Sequence, residues 1–327
     1  MPGRELLGVE GLTKYFPVKK RLFLSRARSF IHAVDDVTFT VHEGEIFGLV
    51  GESGCGKTTT GKLLVKLYEP TCGSIHLDGQ DVIQIRRGAR LREFRRRVQM
   101  IFQDPYESLN PRMTIFDIVA EPLAVQGVRS LVEREERVAD MLSKVGLTPP
   151  ETFMFRYPHE LSGGQRQRVA IARAMVLGPE FVVADEPTSM LDVSIRAGVM
   201  KLLLELREVL NVSYLYITHD LAVARYMCDR LAVMYLGKVV EVGPTEEVIQ
   251  EPLHPYTRAL IAAVPVPDPT YRREPVEIKG DISAPIDPPS YCRFLPRCPI
   301  GDVTCESSPH PSLKEVRAGH FVACHRL

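Results

Sequence analysis

Three short stretches of the chain are largely apolar: Glu45-Ile46-Phe47-Gly48-Leu49-Val50, Phe181-Val182-Val183-Ala184 and Val212 to Ile217. Runs this short and this continuous read as strands buried on both faces. Leu6-Leu7-Gly8-Val9-Glu10 and Val37-Thr38-Phe39-Thr40-Val41 predict two further strands, the second alternating with period two. Helical spacing takes over after each long run. Leu63, Leu64 and Leu67 mark one face, and Ile115, Ile118 and Val119 a second. Val138, Met141, Leu142 and Val145 mark a third, and further helices are expected from Ser162 to about Leu177, over 195–210 and after Asp220. Strand and helix therefore alternate, which predicts an α/β domain on a mostly parallel sheet, with a helical insertion near 113–164. Beyond Pro244 the pattern breaks. Nine prolines from Pro252 to Pro289 leave room for one helix, Tyr256 to Ala263. The expected layout is a domain over 1–251, a Pro-rich linker over 252–273 and a small irregular lobe over 274–327.

Composition changes this picture little. The 327 residues carry 41 basic and 41 acidic side chains, so bulk charge points to neither nucleic acid nor a membrane surface. The N-terminal Met-Pro-Gly-Arg-Glu lacks an apolar core for a secretory signal, and no run of about 18 apolar residues occurs. A soluble, cytoplasmic protein is expected. Two basic stretches stand out. The run from Lys19 to Arg28 reads as a solvated loop. Seven arginines between Arg86 and Arg97 read as a solvated amphipathic segment and not as a nucleic-acid footprint, since Phe94 is the one aromatic among them.

The chemistry begins at Gly51-Glu52-Ser53-Gly54-Cys55-Gly56-Lys57-Thr58, followed by Thr59. It fits G-x-x-x-x-G-K-[ST], and it sits between a predicted strand and a predicted helix, as a phosphate-binding loop must. Glycines let backbone N–H groups turn inward, and the helix N-terminus adds partial positive charge. Lys57 is placed for the β- and γ-phosphates of a nucleotide and the Thr58 hydroxyl for Mg²⁺. A base-stacking aromatic is expected nearby, and Tyr15 and Phe16 compete for that role. Asp185 and Glu186 end an apolar strand, where Asp185 suits a Mg²⁺ role and Glu186 the polarisation of an attacking water. His219 ends another strand, where such sheets hold ligands. Ser162-Gly163-Gly164-Gln165 opens a helix, with Ser162 as N-cap and the helix end open to an anion.

Seven cysteines are present, four of them in the last 36 residues. Cys292, Cys298, Cys305 and Cys324 are spaced C-x5-C-x6-C-x18-C, which favours a metal over disulfides without naming it. His310, His320 and His325 are competing ligands. Cys55, Cys72 and Cys228 read as packing residues.

Taken in order, these motifs resemble the ATP-binding subunit of an ABC transporter, a P-loop NTPase fold with an antiparallel β-subdomain and a helical subdomain. The loop, a glutamine at Phe102-Gln103-Asp104-Pro105, the signature at Leu161–Gln165, Asp185-Glu186, Ser189-Met190-Leu191-Asp192 and His219 carry the resemblance. Met190 departs from it, standing where a small residue is usual. Gln103 to Arg112, His254-Pro255-Tyr256-Thr257, Cys292 to Pro299 and Gly319 to Cys324 are similar to the oligopeptide/dipeptide importer branch. The resemblance implies ATP and Mg²⁺ as ligands, with Thr58, Gln103 and Asp185 at the Mg²⁺. It selects Phe16 over Tyr15 for the adenine, and gives Glu186, His219 and Gln103 catalytic roles. It implies a head-to-tail pair with a second ATPase subunit, whose nucleotide meets Ser162–Gln165. It further implies two membrane permease subunits, an extracytoplasmic solute-binding protein acting indirectly, and a place at the cytoplasmic face of the membrane. Gln103 to Met113 is the implied docking surface. For the four terminal cysteines it implies a [4Fe–4S] cluster, with zinc as the alternative and disulfides third. Import of oligosaccharides, nickel or glutathione, or an ATPase working on nucleic acid or ribosomes without a transporter, are the rival functions.

Overall fold

A computed structural model describes residues 3–18, 29–264 and 285–327. The basic stretch at 19–28, and the parts of the expected linker and lobe at 265–284, lie outside the described residues. The chain divides into two compact units: residues 3–4, His42–Glu45 and Val82–Tyr216 in the first, and the described parts of Glu5–Val41, Ile46–Asp81 and Ile217–Leu327 in the second.

In the first unit the predicted strand is Phe181–Asp185, every residue of it buried. It runs parallel to Val98–Ile101, with Val98 opposite Phe181 and Ile101 opposite Ala184. Burial on both faces is why the sequence shows no alternation there. The strand Ser213–Thr218 is buried along its length, and Ser213 N–H donates to the Glu180 carbonyl at 2.9 Å. The arginine-rich segment is a helix, Gly88–Arg97, that buries Phe94 and leaves most of its arginines in solvent. Arg97 leaves this helix in a two-pronged pair with Glu180 at 2.8 and 2.6 Å. The helical region predicted from Met113 contains two main helices. Ile115–Gln126 begins in a capping box of Thr114 and Asp117 and stops at Gly127, whose φ is 96°. Leu131–Lys144 restarts behind the Ser130 N-cap. The helix Gly163–Met175 buries Val169, Ala170, Ile171, Ala172, Ala174 and Met175 along its core side.

The second unit holds an antiparallel sheet in the order Phe30–His42, Glu5–Pro17, Cys72–Leu77, Gln80–Asp81. Both long strands extend well beyond their predicted segments. Its other strands are Ile46–Val50, Arg230–Tyr235, Lys238–Pro244, His320–Val322 and Lys314–Arg317, each beside the next. The first two are parallel and the rest antiparallel, so strands from the C-terminal segment lengthen this sheet. After the glycine-rich loop comes the helix Lys57–Leu64, which buries Leu63 and Leu64. Leu67 falls outside it and is half exposed, contrary to the periodicity. The helix has ended by then, because Lys66 takes a left-handed φ of 55° and Leu67 N–H turns back to the Lys62 carbonyl.

Candidate functional site

The loop after Ile46–Val50 is shaped by glycines that no other residue replaces. Gly56 has φ 114°, and a Cβ there would lie 2.7 Å from Met234 Cε and 3.3 Å from the Ala33 carbonyl carbon, with the carbonyl oxygen nearer still. Lys57 is buried and folds back over the loop, donating to the carbonyls of Gly51 at 2.7 Å and Glu52 at 2.9 Å. Its Nζ lies 3.8 Å from Cys55 Sγ. Burial pushes the Cys55 thiol up and the Lys57 charge opposes that, so Cys55 packs as a neutral thiol. Ser53 and Gly54 are exposed, while Thr58 and Thr59 are half-buried on the first helical turn. No side chain caps this helix. Its leading N–H groups, together with the loop amides, form the kind of concentrated donor set that holds an anion.

Phe16 and Tyr15 separate clearly. Tyr15 Oη donates to Asp35 Oδ1 at 2.9 Å, and its ring stacks on His32 with centroids 3.8 Å apart. Burial first, then the Asp35 hydrogen bond, raises its phenol to about 12. Phe16 is half-buried, edge-on to Tyr68 at 5.5 Å with Lys14 Nζ 5.2 Å from its ring centre. Tyr68, 38% exposed, was not anticipated from the sequence, although an aromatic just past the loop helix was a signal for it. His219, in the same unit, is exposed just beyond Ser213–Thr218, and Asp220 next to it caps the helix Leu221–Met227.

In the first unit, two predicted residues 83 positions apart meet: Gln103 Nε2 donates to Glu186 Oε2 at 3.1 Å. Asp185 is buried at the strand end. Glu186 follows it with φ 45°, a left-handed backbone uncommon for a residue with a side chain. Its carbonyl accepts from Ser189 N–H at 3.1 Å and Ser189 Oγ at 3.0 Å, which holds the turn in that conformation. Arg196 Nε donates to the Leu191 carbonyl at 2.8 Å, steadying the following loop, where Met190 is 60% exposed.

Ser162 caps its helix as expected, in a reciprocal box. Its hydroxyl accepts from Gln165 N–H at 3.3 Å, and Gln165 Oε1 accepts from Ser162 N–H at 3.0 Å. The Gln165 N–H and its side-chain Oε1 are therefore engaged within the motif, and the remaining opening is set by Gly163 and Gly164. A Cβ on Gly164 would come within 2.7 Å of Ile195 Cγ2. Around the expected docking stretch, Asp104 accepts from Tyr106 N–H at 2.7 Å and Arg173 Nη1 donates to the Ser108 carbonyl at 2.9 Å. The exposed Tyr106 ring lies 4.1 Å from the Arg166 guanidinium.

The structure gives no support to the metal-binding lobe expected of the four terminal cysteines. Among the described residues, no group of three or more His, Cys, Asp or Glu is arranged to hold a metal ion. Burial pushes the Cys292 thiol up to about 11, and the thiols of Cys298, Cys305 and Cys324 add to the rise. Cys298 and Cys324 are raised in the same way, burial first. The competing histidines are engaged elsewhere: His310 Nδ1 accepts from Arg293 N–H, His320 Nε2 meets Glu241 at 2.8 Å and His325 Nε2 meets the Pro309 carbonyl at 3.0 Å.

The comparisons with known proteins agree with the motif order. Residues 34–189 match the ABC transporter family, and residues 240–305 match the oligopeptide/dipeptide transporter C-terminal region. The oligopeptide transport ATP-binding protein AppF of Bacillus subtilis is 46% identical over 322 residues, covering 98% of this chain and 97% of that protein. A putative peptide import ATP-binding protein of Brucella ovis is 49% identical over 321 residues, with 98% of each chain covered. Among solved structures, the dimeric ATP-binding cassette MJ0796 in a post-hydrolysis state bound to ADP and Pi is similar at a TM-score of 0.64. It is 30% identical, and the match covers 73% of this chain and 99% of that one. A glycine-shaped anion loop, a glutamine on a strand-end glutamate, a box-capped signature helix and end-to-end relatives lead to one conclusion. The chain belongs to the ATP-binding proteins of ABC transporters, in the branch with an oligopeptide/dipeptide transporter C-terminal region.

Proposed function

We infer that this chain is the ATP-hydrolysing subunit that energises import of oligopeptides or dipeptides through separate membrane permease subunits. The observation that carries the hydrolytic part is the Gln103–Glu186 contact at 3.1 Å, beside the buried Asp185. It holds a carboxylate in a fixed place at a strand end, ready to orient or deprotonate water. The peptide cargo rests on relatives named for peptide transport that match over nearly the whole length. No helix among the described residues is long and apolar enough to cross a membrane, which fits a subunit that works through permease partners at the cytoplasmic face.

The site residues take the following roles in this reading. The amides of the loop Gly51 to Thr59, apart from the Glu52 N–H that donates to Tyr256 Oη, hold the phosphates of ATP together with Lys57, which exchanges its two carbonyl partners for phosphate oxygens. Thr58, Asp185 and Gln103 serve Mg²⁺, which neutralises charge on the transferred phosphoryl group. Glu186 orients the water, His219 holds the γ-phosphate and Phe16 lies against the adenine. Ser162 to Gln165 serve the nucleotide of a second ATPase subunit, because a helix end open to an anion is completed by the partner's γ-phosphate. Domain bounds of 1–251, 252–273 and 274–327 accompany this reading.

A second reading concerns Cys292, Cys298, Cys305 and Cys324. All four are free cysteines of the C-terminal segment, Cys292 and Cys305 buried and Cys298 and Cys324 partly so, and Arg326 N–H donates to Cys324 Sγ at 3.4 Å. In this reading the four thiols share one group, such as a [4Fe–4S] cluster held by four thiolates, and anaerobic iron and acid-labile sulfide analysis tests it. Absence of both, with zinc bound or with no metal, overturns it.

Peptide uptake into proteoliposomes holding the chain, its partner ATPase, the permeases and the solute-binding protein tests the function. Uptake of peptide that requires ATP inside is expected. Uptake confined to an oligosaccharide, nickel or glutathione would change the cargo, and ATP hydrolysis that rises with DNA or ribosomes but not with peptide would overturn the transport role.

A further inference from the structure

Glu52, the second residue of the glycine-rich loop, is tied in three directions. Its carboxylate takes two hydrogen bonds from Arg297, Nη1 to Oε2 at 2.8 Å and Nη2 to Oε1 at 3.1 Å. Its N–H donates to Tyr256 Oη at 2.9 Å. Its carbonyl accepts from Lys57 Nζ at 2.9 Å and Cys55 N–H at 3.3 Å. The first two anchors come from 204 and 245 residues away, from the helix Pro255–Ala263 and the turn Leu295–Arg297.

The anchors are themselves rigid. Arg297 is 7% exposed, and its guanidinium lies 5.7 Å from the centre of the Tyr235 ring. Tyr235, Tyr256 and Phe294 are all buried and pack ring on ring, at 4.6 Å, 5.3 Å and 5.5 Å. Tyr235 directly follows Met234, whose methyl group fills the space a Cβ on Gly56 would need. A few residues away, Arg293 pairs with Asp35 and donates to the Leu236 carbonyl. Gly237, next to Leu236, donates its N–H to the Cys55 carbonyl at 2.8 Å. The turn that carries Arg293 and Arg297 thus reaches the loop at Glu52 directly and at Cys55 through Leu236-Gly237. A planar, two-pronged guanidinium fixes orientation as well as distance, which one ammonium does not.

We propose that Arg297, with Tyr256, is a positioning residue for nucleotide. It locks Glu52 so that the loop keeps its phosphate-binding shape, and it makes the C-terminal turn between Cys292 and Cys298 part of the support of the ATP site. The proposal rests on the reading of Gly51–Thr58 as the ATP loop. Glu52 spends its N–H on Tyr256 and its side chain on Arg297. Its carbonyl is then the group of this residue that changes partner when Lys57 moves to a phosphate. Fixing the other two contacts keeps the carbonyl in place during that exchange and lowers the reorganisation that binding requires.

The test measures MgATP affinity of the full chain by calorimetry, and the KM and kcat of ATP hydrolysis in the assembled transporter. Wild-type chain that fails to bind MgATP would remove the underlying reading and not this proposal in particular. With wild-type binding established, Arg297→Lys and Tyr256→Phe are each expected to weaken ATP about tenfold, the loss of one good charge-assisted or buried hydrogen bond. KM rises more than kcat falls. The double variant Glu52→Gln/Arg297→Lys loses no more than Arg297→Lys alone, because the two side chains act as one contact. Arg317→Ala, which breaks a C-terminal ion pair with Glu251 away from the loop, keeps wild-type affinity. Arg297→Lys and Tyr256→Phe binding ATP within about twofold of wild type would overturn the proposal. So would an equal loss in Arg317→Ala.

Discussion

Gly56→Ala isolates the shape of the loop from its chemistry. Gly79→Ala supplies the comparison, since both glycines hold positive φ, 114° and 73°, and only one is crowded. A side chain in a left-handed backbone costs roughly 1–2 kcal/mol. That is the whole cost at Gly79, where nothing lies within 4 Å of the new methyl. At Gly56 the methyl meets Met234 Cε at 2.7 Å, and the Ala33 carbonyl carbon at 3.3 Å with its oxygen closer. The methionine methyl can swing aside. The carbonyl belongs to the main chain of Phe30–His42 and cannot, so the loop must retreat by about 1 Å. A displacement of that size at a binding or reacting centre costs about 100-fold. Calorimetry with MgATP and thermal melts on both variants give the answer. Both are expected to melt lower than wild type, and only Gly56→Ala is expected to lose affinity, by about 100-fold. If Gly56→Ala binds ATP within about threefold of Gly79→Ala, steric shaping of the loop by this glycine is refuted.

Two further outcomes follow from buried polar groups. Glu241 is fully buried and accepts from Leu253 N–H at 2.8 Å, His254 N–H at 2.9 Å and His320 Nε2 at 2.8 Å. Glu241→Ala strands these donors and is expected to lower stability by about 3–5 kcal/mol in urea titration, while a loss below about 1 kcal/mol would contradict the network. His254 is buried with its Nδ1 accepting from Tyr256 N–H at 3.1 Å, and burial holds its pKa near 3 against an ordinary 6.5. The unfolded chain takes up that proton first, so this contribution is complete above about pH 6.5 and declines as pH falls toward 3. The slope reaches about 1.4 kcal/mol per pH unit. His310, held near 4 by burial, acts with the same sign. His254→Asn keeps a capping acceptor without the titration, and a flatter fall of melting temperature between pH 6.5 and 5 is expected; an unchanged slope would contradict it.

Local features were legible in the sequence wherever a single element determines them. Ile46–Val50 and Phe181–Asp185 are strands because their apolar runs are buried on both faces, and Ser162 caps its helix through residues three positions away. Leu67 departs from its periodic position because the apolar pattern does not encode the left-handed turn at Lys66. Contacts made by the fold were not legible. The pairing of Gln103 with Glu186 spans 83 residues and that of Arg297 with Glu52 spans 245, and nothing in local spacing encodes either. Tyr15 and Phe16 were equivalent as neighbouring aromatics until Asp35 and His32 engaged one of them. Cysteine spacing shows that four thiols are available, but burial and neighbouring charge decide whether they ionise.

The central claim is that Glu186 directs the hydrolysis of ATP held by Gly51–Thr58. It is tested most directly by ATP turnover of Glu186→Gln in the assembled transporter, with the partner ATPase's own site silenced. Glutamine keeps the size of the side chain and an acceptor for Gln103, so ATP affinity is expected to stay within about threefold of wild type. Turnover is expected to fall by at least about 100-fold, as for the loss of a general base. Undiminished phosphate release from the variant would contradict the account.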